Sequence, residues 1–462
     1  MQNVHQQFPV FMCQRPGDLW SNLTRRSLLI CVRNITPDTA FLIFFIACLF
    51  YPLTAYPANA SRYDVYRDYV YSNNIRTVQM HPRGQEQSYP VIEFGTNDEL
   101  MFSFDDLDGN VKNFQYRIIH CNADWTESGL FTADYLEGFD ENRLDNYRFS
   151  FNTAVTYTHY SLALPNFDVN FKLPGNYIIK VYEDYDETNI VITRRFMISE
   201  SRVNIRGRVH RPQMPMYYRT GQQVTFSILH PDLQVRDPHS EIYVTVMQNG
   251  RTDNSIKGLA PVYIRDREIV YEDEEKLVFP AGNEFRSFDI RSLRYQTEYI
   301  RSIEYANGIN HVELQPSESR QYSGYFSHFD INGGFLIRNE EGRNPSYDAD
   351  YVMVYFTLPW DAPVDNGNVF VLGALWDWNF YDLNKMEYNF ERKAYELDIL
   401  VKQGYYNYQF VILQEKASEA NATFFEGNFF ETENDYFIMV YHRPPGSRFD
   451  RLVGTQLINS RK

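Results

Sequence analysis

The sequence predicts an all-β chain of tandem β-sandwiches. Three observations carry this. The chain holds 36 Tyr and 35 Phe, residue types that fit pleated, half-buried surfaces. Apolar residues alternate along short runs closed by Gly or Asn, which is the strand signature. No long stretch carries apolar residues at helical spacing. Many short strands with regular turns form sandwiches or barrels.

Each run supports the class in order. "NYIIKVYEDYD" sets Tyr177, Ile179 and Val181 on one face. "QQVTFSILH" does the same with Val224, Phe226 and Ile228. "EIYVTVMQNG" aligns Ile242, Val244 and Val246 and then turns at Asn249-Gly250. "GYYNYQFVIL" aligns Tyr406, Tyr408, Phe410 and Ile412. Turn signals recur at Asp108-Gly109, Pro174-Gly175, Asn307-Gly308, Asn332-Gly333-Gly334, Asn366-Gly367 and Gln403-Gly404.

At 462 residues the chain is too long for one ordinary core, and length alone suggests roughly three domains. A first cut follows "VITRRFMISE" near Glu200, and a second falls in "RNEEGRNPSYDAD" near Asn344. The expected domains are 61–200, 201–343 and 344–462.

Residues 1–60 read as a leader. Arg25, Arg26 and Arg33 precede the apolar run "AFLIFFIACLFYPLTA", which Pro52 interrupts and Ala58-Asn59-Ala60 follows. A membrane-spanning helix needs about 20 apolar residues. The shorter run and the small-residue exit instead indicate a secretory signal peptide cleaved after Ala60. Cys13, Cys31 and Cys48 would leave with it, so only Cys121 would remain. An exported chain with one thiol cannot be stapled internally and must rely on its cores.

Net charge is −16, which argues against nucleic acid, because neutralising phosphate requires clustered Lys and Arg. No catalytic motif is present: no G-x-S-x-G, no H-E-x-x-H, no P-loop and no G-x-G-x-x-G. "HCNADW" (His120 to Trp125) places His, Cys and Asp side by side. On a strand, neighbouring side chains point to opposite faces, so His120 and Cys121 cannot chelate one ion together. The stretch reads as a buried Cys ending a strand, followed by a turn fixed by Asp124 and Trp125. "DDLDGN" lacks the spacing of a calcium loop and reads as a hairpin turn. No cofactor, metal or catalytic residue is expected, and the chain is expected not to be an enzyme.

"GALWDWNFYDLNKMEY" (Gly373 to Tyr388) concentrates Trp376 and Trp378. With "KQGYYNYQF" it resembles the early-Set, immunoglobulin-like sandwiches that bind glycogen and starch. Gly373, Trp376 and Trp378 match the first part of that pattern loosely, and Gly404, Tyr406, Tyr408 and Phe410 match the second better. The resemblance implies that the tryptophans form a glycan-stacking platform. The competing reading, favoured on the sequence, is that the same aromatics are core.

A second resemblance covers more of the chain. "QYRIIHCNADWTESGLFTADYLEGF" (Gln115 to Phe139) resembles the opening signature of the plug proteins of the type IX secretion system, found in Bacteroidetes. "NTAVTYTHYSLALPN", "VTVMQNGRTDNSI", "AGNEFRSFDIRSLR", "KQGYYNYQF" and "TENDYFIMVYHRPPGSRFDRLVG" continue the likeness in order. The resemblance implies export to the periplasmic side of the outer membrane. It also implies one partner, the giant outer-membrane β-barrel translocon, whose pore such proteins seal. A carbohydrate-binding protein remains the alternative. Candidate contact residues are Trp376, Trp378, Arg286, Arg291 and Arg294. In the plainer reading the arginines form salt bridges within their own domain.

Overall fold

The computed structural model describes residues 66–461. The expected leader and its cleavage after Ala60 lie outside the described residues. Within them, strands dominate and the helices are single turns of three or four residues. The all-β class is therefore observed.

The first sandwich is built entirely from strands between Tyr69 and Ser199. One sheet orders Tyr69–Val70, Ile190–Ser199, Gly175–Glu183, Phe114–Cys121 and Asn142–Arg143, with Val91–Glu93 parallel to Ile190–Ser199. The other orders Ile75–Pro82, Leu100–Asp106, Thr158–Leu164 and Tyr147–Phe149. Their inner faces meet in a core that includes Phe102, Phe104, Tyr160, Tyr177 and Phe196. Phe104 stacks on Tyr160 at 5.2 Å, and Tyr177 on Phe196 at 5.4 Å. Large flat rings fill the roughly 10 Å between sheets with few side chains, which is how a Tyr- and Phe-rich sequence closes a sandwich without disulfides.

The strand Gly175–Glu183 buries Tyr177, Ile179 and Val181, the alternation read from the sequence. It also buries Ile178 and Tyr182 on the opposite face. The final segment of the chain covers part of that second face: Tyr441 donates to Asn176 at 2.9 Å. Two-sided burial also explains why neighbours His120 and Cys121 are both buried. Burial pushes the Cys121 thiol up to about 12 and draws the His120 ring down to about 4, against the pull of the Pro174 carbonyl. Both groups are neutral core residues at pH 7.

The second sandwich sets Asn204–His210, Gly221–Leu229, Glu268–Tyr271 and Tyr263–Arg265 against Ile242–Gln248, Asp435–His442 and Arg451–Asn459. The last two strands of the chain thus complete a sandwich begun before residue 250. The third sandwich lies between these segments in sequence. Its larger sheet orders Ile300–Ala306, Ile309–Leu314, Tyr351–Pro359, Ala394–Lys402 and Glu387–Asn389. Facing it, Gly404–Gln414 pairs with Arg286–Asp289, Phe335–Ile337 and Gly367–Leu372. Strand pairing therefore crosses the boundary expected near Asn344. Hairpin signals such as Asn249-Gly250 do turn the chain: both residues take positive φ, 51° and 77°, as a tight two-residue turn requires.

The described residues, 66–461, belong to one compact unit. A buried polar node ties the first sandwich to the third. Asp105, on Leu100–Asp106, is 1% exposed and accepts from Lys402 Nζ and from the Tyr351 hydroxyl, each at 2.7 Å. His159 Nδ1 lies 2.7 Å from the other carboxylate oxygen. Lys402 also donates to the Ser346 carbonyl at 2.8 Å and sits 4.2 Å above the Tyr157 ring. Tyr157 in turn donates to the Ala349 carbonyl at 2.8 Å. Burial opposes the Asp105 charge, but Lys402 and His159 outweigh it and hold the carboxyl below its ordinary value.

Removing one partner of such a pair strands a buried charge. Asp105→Ala is expected to destabilise the protein by about 3–5 kcal/mol in urea unfolding. The double replacement Asp105→Leu with Lys402→Met is expected to recover most of that loss. If the single variant unfolds at the wild-type urea midpoint, the node does not hold the sandwiches together.

Candidate protein-interaction surface

The tryptophan stretch folds as a tight turn. Ala374–Trp376 makes one 3-10 turn, and Asp377 and Trp378 follow at φ of 52° and 57°. A side chain at Gly373 would put its Cβ 2.7 Å from the Asn407 carbonyl oxygen, so the turn packs against Gly404–Gln414 only with glycine there. Trp376 and Trp378 are each 7% exposed. Trp376 belongs to the core of the third sandwich, and Trp378 to a separate cluster with Phe285, Phe370 and Leu372. Neither ring offers an open face for stacking on a sugar.

The functional position in this turn is the residue between them. Asp377 pairs with Arg194 of the first sandwich, and Arg194 also donates to the Val78 carbonyl at 2.8 Å. Burial lifts the Asp377 carboxyl to about 6, Arg194 pulls it down and Asp68 pushes it up. Two more bonds cross the same seam: Asn379 Nδ2 to the Asp68 carbonyl at 2.8 Å, and Val70 N to the Tyr381 hydroxyl at 3.1 Å. Sequence reading followed the aromatics and passed over the acid. The available signal was a carboxylate between two large apolar groups, which must find a cation if it is buried.

The three candidate arginines do not converge. Arg286 faces inward, and its Nε is 3.0 Å from each carboxylate oxygen of Glu426. Arg320 joins the same carboxylate at 2.6 Å, and Phe410 N donates to it at 2.9 Å. Arg291 folds back on Asp289 at 2.9 Å. Arg294 is largely exposed, 3.8 Å from Glu341. Arg291 and Arg294 both border the 339–341 turn, where Glu340 N donates to the Arg291 carbonyl at 3.0 Å.

The surface best built for contact lies on a segment that the sequence analysis does not single out. Residues 315–334 contain no helix or strand, and 321–329 ("QYSGYFSHF") contain no Asp, Glu, Lys or Arg. Tyr322, Phe326 and Phe329 are 93%, 76% and 82% exposed. The residues between them are anchored. Arg320 N donates to the Phe425 carbonyl at 2.7 Å. The Tyr325 hydroxyl donates to the Glu431 carbonyl at 3.0 Å and also bonds Glu284. His328 Nε2 lies 2.8 Å from the Phe285 carbonyl, and Phe285 N donates to Asp330 at 2.6 Å. Burial raises the Asp330 carboxyl to about 6. Tyr218 extends the patch through Arg211, which lies over the Tyr218 and Phe430 rings and pairs with Glu431 at 3.1 Å.

Long irregular segments that are this well bonded are commonly functional. Large exposed aromatics on fixed backbone lose little entropy on binding, which suits them to be anchors in a protein interface. No local signal singles the segment out: its uncharged run is nine residues, and residues 149–167 form a longer one.

Two outcomes test these assignments. Trp378→Ala is expected to cost about 3–5 kcal/mol in urea unfolding, as for a core ring. A loss under about 1 kcal/mol would make the ring a surface group. Glu426 is held at about 2: burial raises it, and Arg286 and Arg320 overcome that. Its folded value lies below the unfolded one, so its stabilisation is present above about pH 4.5 and is lost as pH falls through about 2. At pH 7 that depression corresponds to roughly 3 kcal/mol. Glu426→Gln should therefore unfold at lower urea than wild type at pH 7, and the gap should close on acidification toward pH 2.

Comparison with known proteins agrees with this architecture. Residues 75–200 match the family model described as type 9 secretion system plug protein, first domain. The match coincides with the first sandwich. A crystal structure of a hypothetical protein from Parabacteroides merdae is 36% identical, with a TM-score of 0.82. The alignment covers 85% of this chain and 99% of that one. No curated protein matches the sequence. A first sandwich with the plug signature, carried in a body shared with a 36% identical relative, places this chain in the type 9 secretion system plug protein family.

Proposed function

We propose that this protein is a non-enzymatic plug that seals the outer-membrane translocon pore of the type IX secretion system from the periplasmic side. Membership of the plug family supports a role in type IX secretion. The observation that carries the finer reading is the bonded loop 315–334, whose uncharged stretch 321–329 holds three exposed rings out from a single compact body. A pore wide enough for folded proteins leaks unless something rigid fills it. The buried ion pairs that tie the first sandwich to the third supply that rigidity. The partner is the giant β-barrel of the translocon, and Tyr322, Phe326 and Phe329 are its contacts.

Sealing has to be reversible, which favours a modest interface with few strong anchors over a large apolar one. Three exposed rings fit that requirement. No helix among the described residues is long and apolar enough to cross a membrane. In this reading the protein is held at the membrane by its partner, on the periplasmic side.

The test is recovery of the protein from detergent-solubilised outer membranes. Wild type is expected to bring down one large β-barrel. The triple variant Tyr322→Ser, Phe326→Ser, Phe329→Ser is expected to recover at least tenfold less, with its urea midpoint unchanged, since hot-spot rings each contribute about 2 kcal/mol or more. Cells expressing only the triple variant should admit a large dye that wild-type cells exclude. Recovery of wild type without a β-barrel would overturn the plug reading. Full recovery of the triple variant would move the contact elsewhere.

A further inference from the structure

The first sandwich and the rest of the body do not meet flush. A cavity of about 270 Å³ lies between them. Its wall is unusual in composition. The whole chain has 11 Met, and four of them, Met80, Met197, Met247 and Met439, line this one space. They come from both sides: Met80 and Met197 from the first sandwich, Met247 and Met439 from the second. Methionine is flexible and polarisable, and clusters of it suit apolar ligands of variable shape. Tyr89 stacks on Phe437 at 4.4 Å beside it.

The cavity wall carries four acids, Asp68, Glu86, Asp377 and Asp435, and three cations, Arg194, Arg195 and Lys257. Its acids are mostly engaged. Asp377 is paired with Arg194, and Asp68 accepts from Arg195 N at 2.7 Å. Asp435 accepts from Asn332 at 2.7 Å and from Asn459 at 2.8 Å. Glu86 is exposed at the rim. On the opposite account, Lys257 lines the cavity and makes no ion pair of 4.0 Å or less among the described residues. Its neighbour Arg195 lies 4.5 Å over the Trp125 ring. Burial and Arg195 both draw the Lys257 ammonium below its ordinary value, and Asp124 opposes them. An added negative charge at this end would relieve that repulsion.

We propose that this cavity is a binding site for one small anionic amphiphile, with its carboxylate or sulfate on Lys257 and its alkyl chain against the four methionines. The volume sits just below the usual range for small-ligand cavities, about 300–1,000 Å³, so the site takes a single short chain. A polar ligand would leave the methionines facing unsatisfied groups, and a cation would add to the charge of Lys257 and Arg195. The inference does not depend on the plug reading. Because both walls contribute, an occupant would stabilise the seam between the first and second sandwiches by mass action.

The probe is decanoate, added to the full chain and followed by isothermal titration and thermal unfolding. One decanoate per chain is expected, with a rise in Tm, and decyltrimethylammonium at the same concentration should give neither. Lys257→Glu, which breaks no ion pair among the described residues, should keep the wild-type urea midpoint and weaken decanoate at least tenfold. Met247→Trp, which fills the space, should abolish binding. Equal binding of both amphiphiles, or unchanged decanoate affinity in Lys257→Glu, would overturn the site. Sedimentation with phosphatidylglycerol vesicles separates the sources of such a chain. Decanoate binding with no sedimentation assigns a free amphiphile. Decanoate binding with Lys257-dependent sedimentation assigns a membrane lipid. Sedimentation without decanoate binding would also overturn the cavity.

Discussion

One buried carboxylate holds the molecule together. Asp105 belongs to the first sandwich, while Tyr351 and Lys402, which bond to it, belong to the third. A lysine ammonium 1% exposed would be intolerable alone. It persists because the carboxylate, the Ser346 carbonyl and the Tyr157 ring together replace its water. Such a node gains little stability over an apolar contact of the same volume. What it adds here is registration. Sheets can slide over one another at modest cost while apolar contacts re-form, but a buried ion pair has one acceptable geometry. The Arg194–Asp377 pair repeats the arrangement at a second point on the same body.

The rest of the architecture follows from that fixed docking. The chain spends its aromatics in two ways. Most stack between sheets, where broad rings span the sandwich interior. A minority, including Tyr322, Phe326 and Phe329, face outward on a segment whose intervening residues are bonded to the body. The contrast is physical. Strand faces turn most alternating rings inward, although Phe149 and Tyr305 stay exposed on strands, whereas residues 315–334 have no strand geometry to turn any of theirs in. The backbone is instead held by its own side chains, Tyr325, His328 and Asp330, and the remaining rings are left to solvent. The packed interiors and these outward rings thus divide the chain's aromatics between core and surface.

The order of sandwiches along the chain also bears on rigidity. The second sandwich starts before residue 250 and is finished by Asp435–His442 and Arg451–Asn459. The third is enclosed between those segments. Tension on the C-terminal end of the described chain therefore enters the second sandwich before the third, and tension on the N-terminal end enters the first. The same closing segment covers the outer face of Gly175–Glu183, so the three sandwiches share surfaces and do not hang as beads on linkers.

Much of this was legible in the sequence. Alternating runs such as Val224, Phe226, Ile228 and Tyr406, Tyr408, Phe410 predicted strand faces that the structure buries, because a period of two is a local property of an extended chain. The Asn-Gly turns were legible for the same local reason. The ordered blocks from Gln115 onward pointed to the plug family. Other features depended on tertiary contact. Nothing local in "YVMVYFTLP" announces that Tyr351 will bond an aspartate 246 residues away. Nor does Trp376-Asp377-Trp378 announce that the acid, and not the rings, makes the inter-sandwich contact. An intradomain salt bridge is the plainer reading of Arg286, but nothing local names its partner Glu426, 140 residues away. The sequence by itself determined strands, turns and family, since those rest on neighbours along the chain. Only the tertiary structure decided which polar groups are buried together and which aromatics are left outside, since a charge or a ring is satisfied by whatever the fold brings to it.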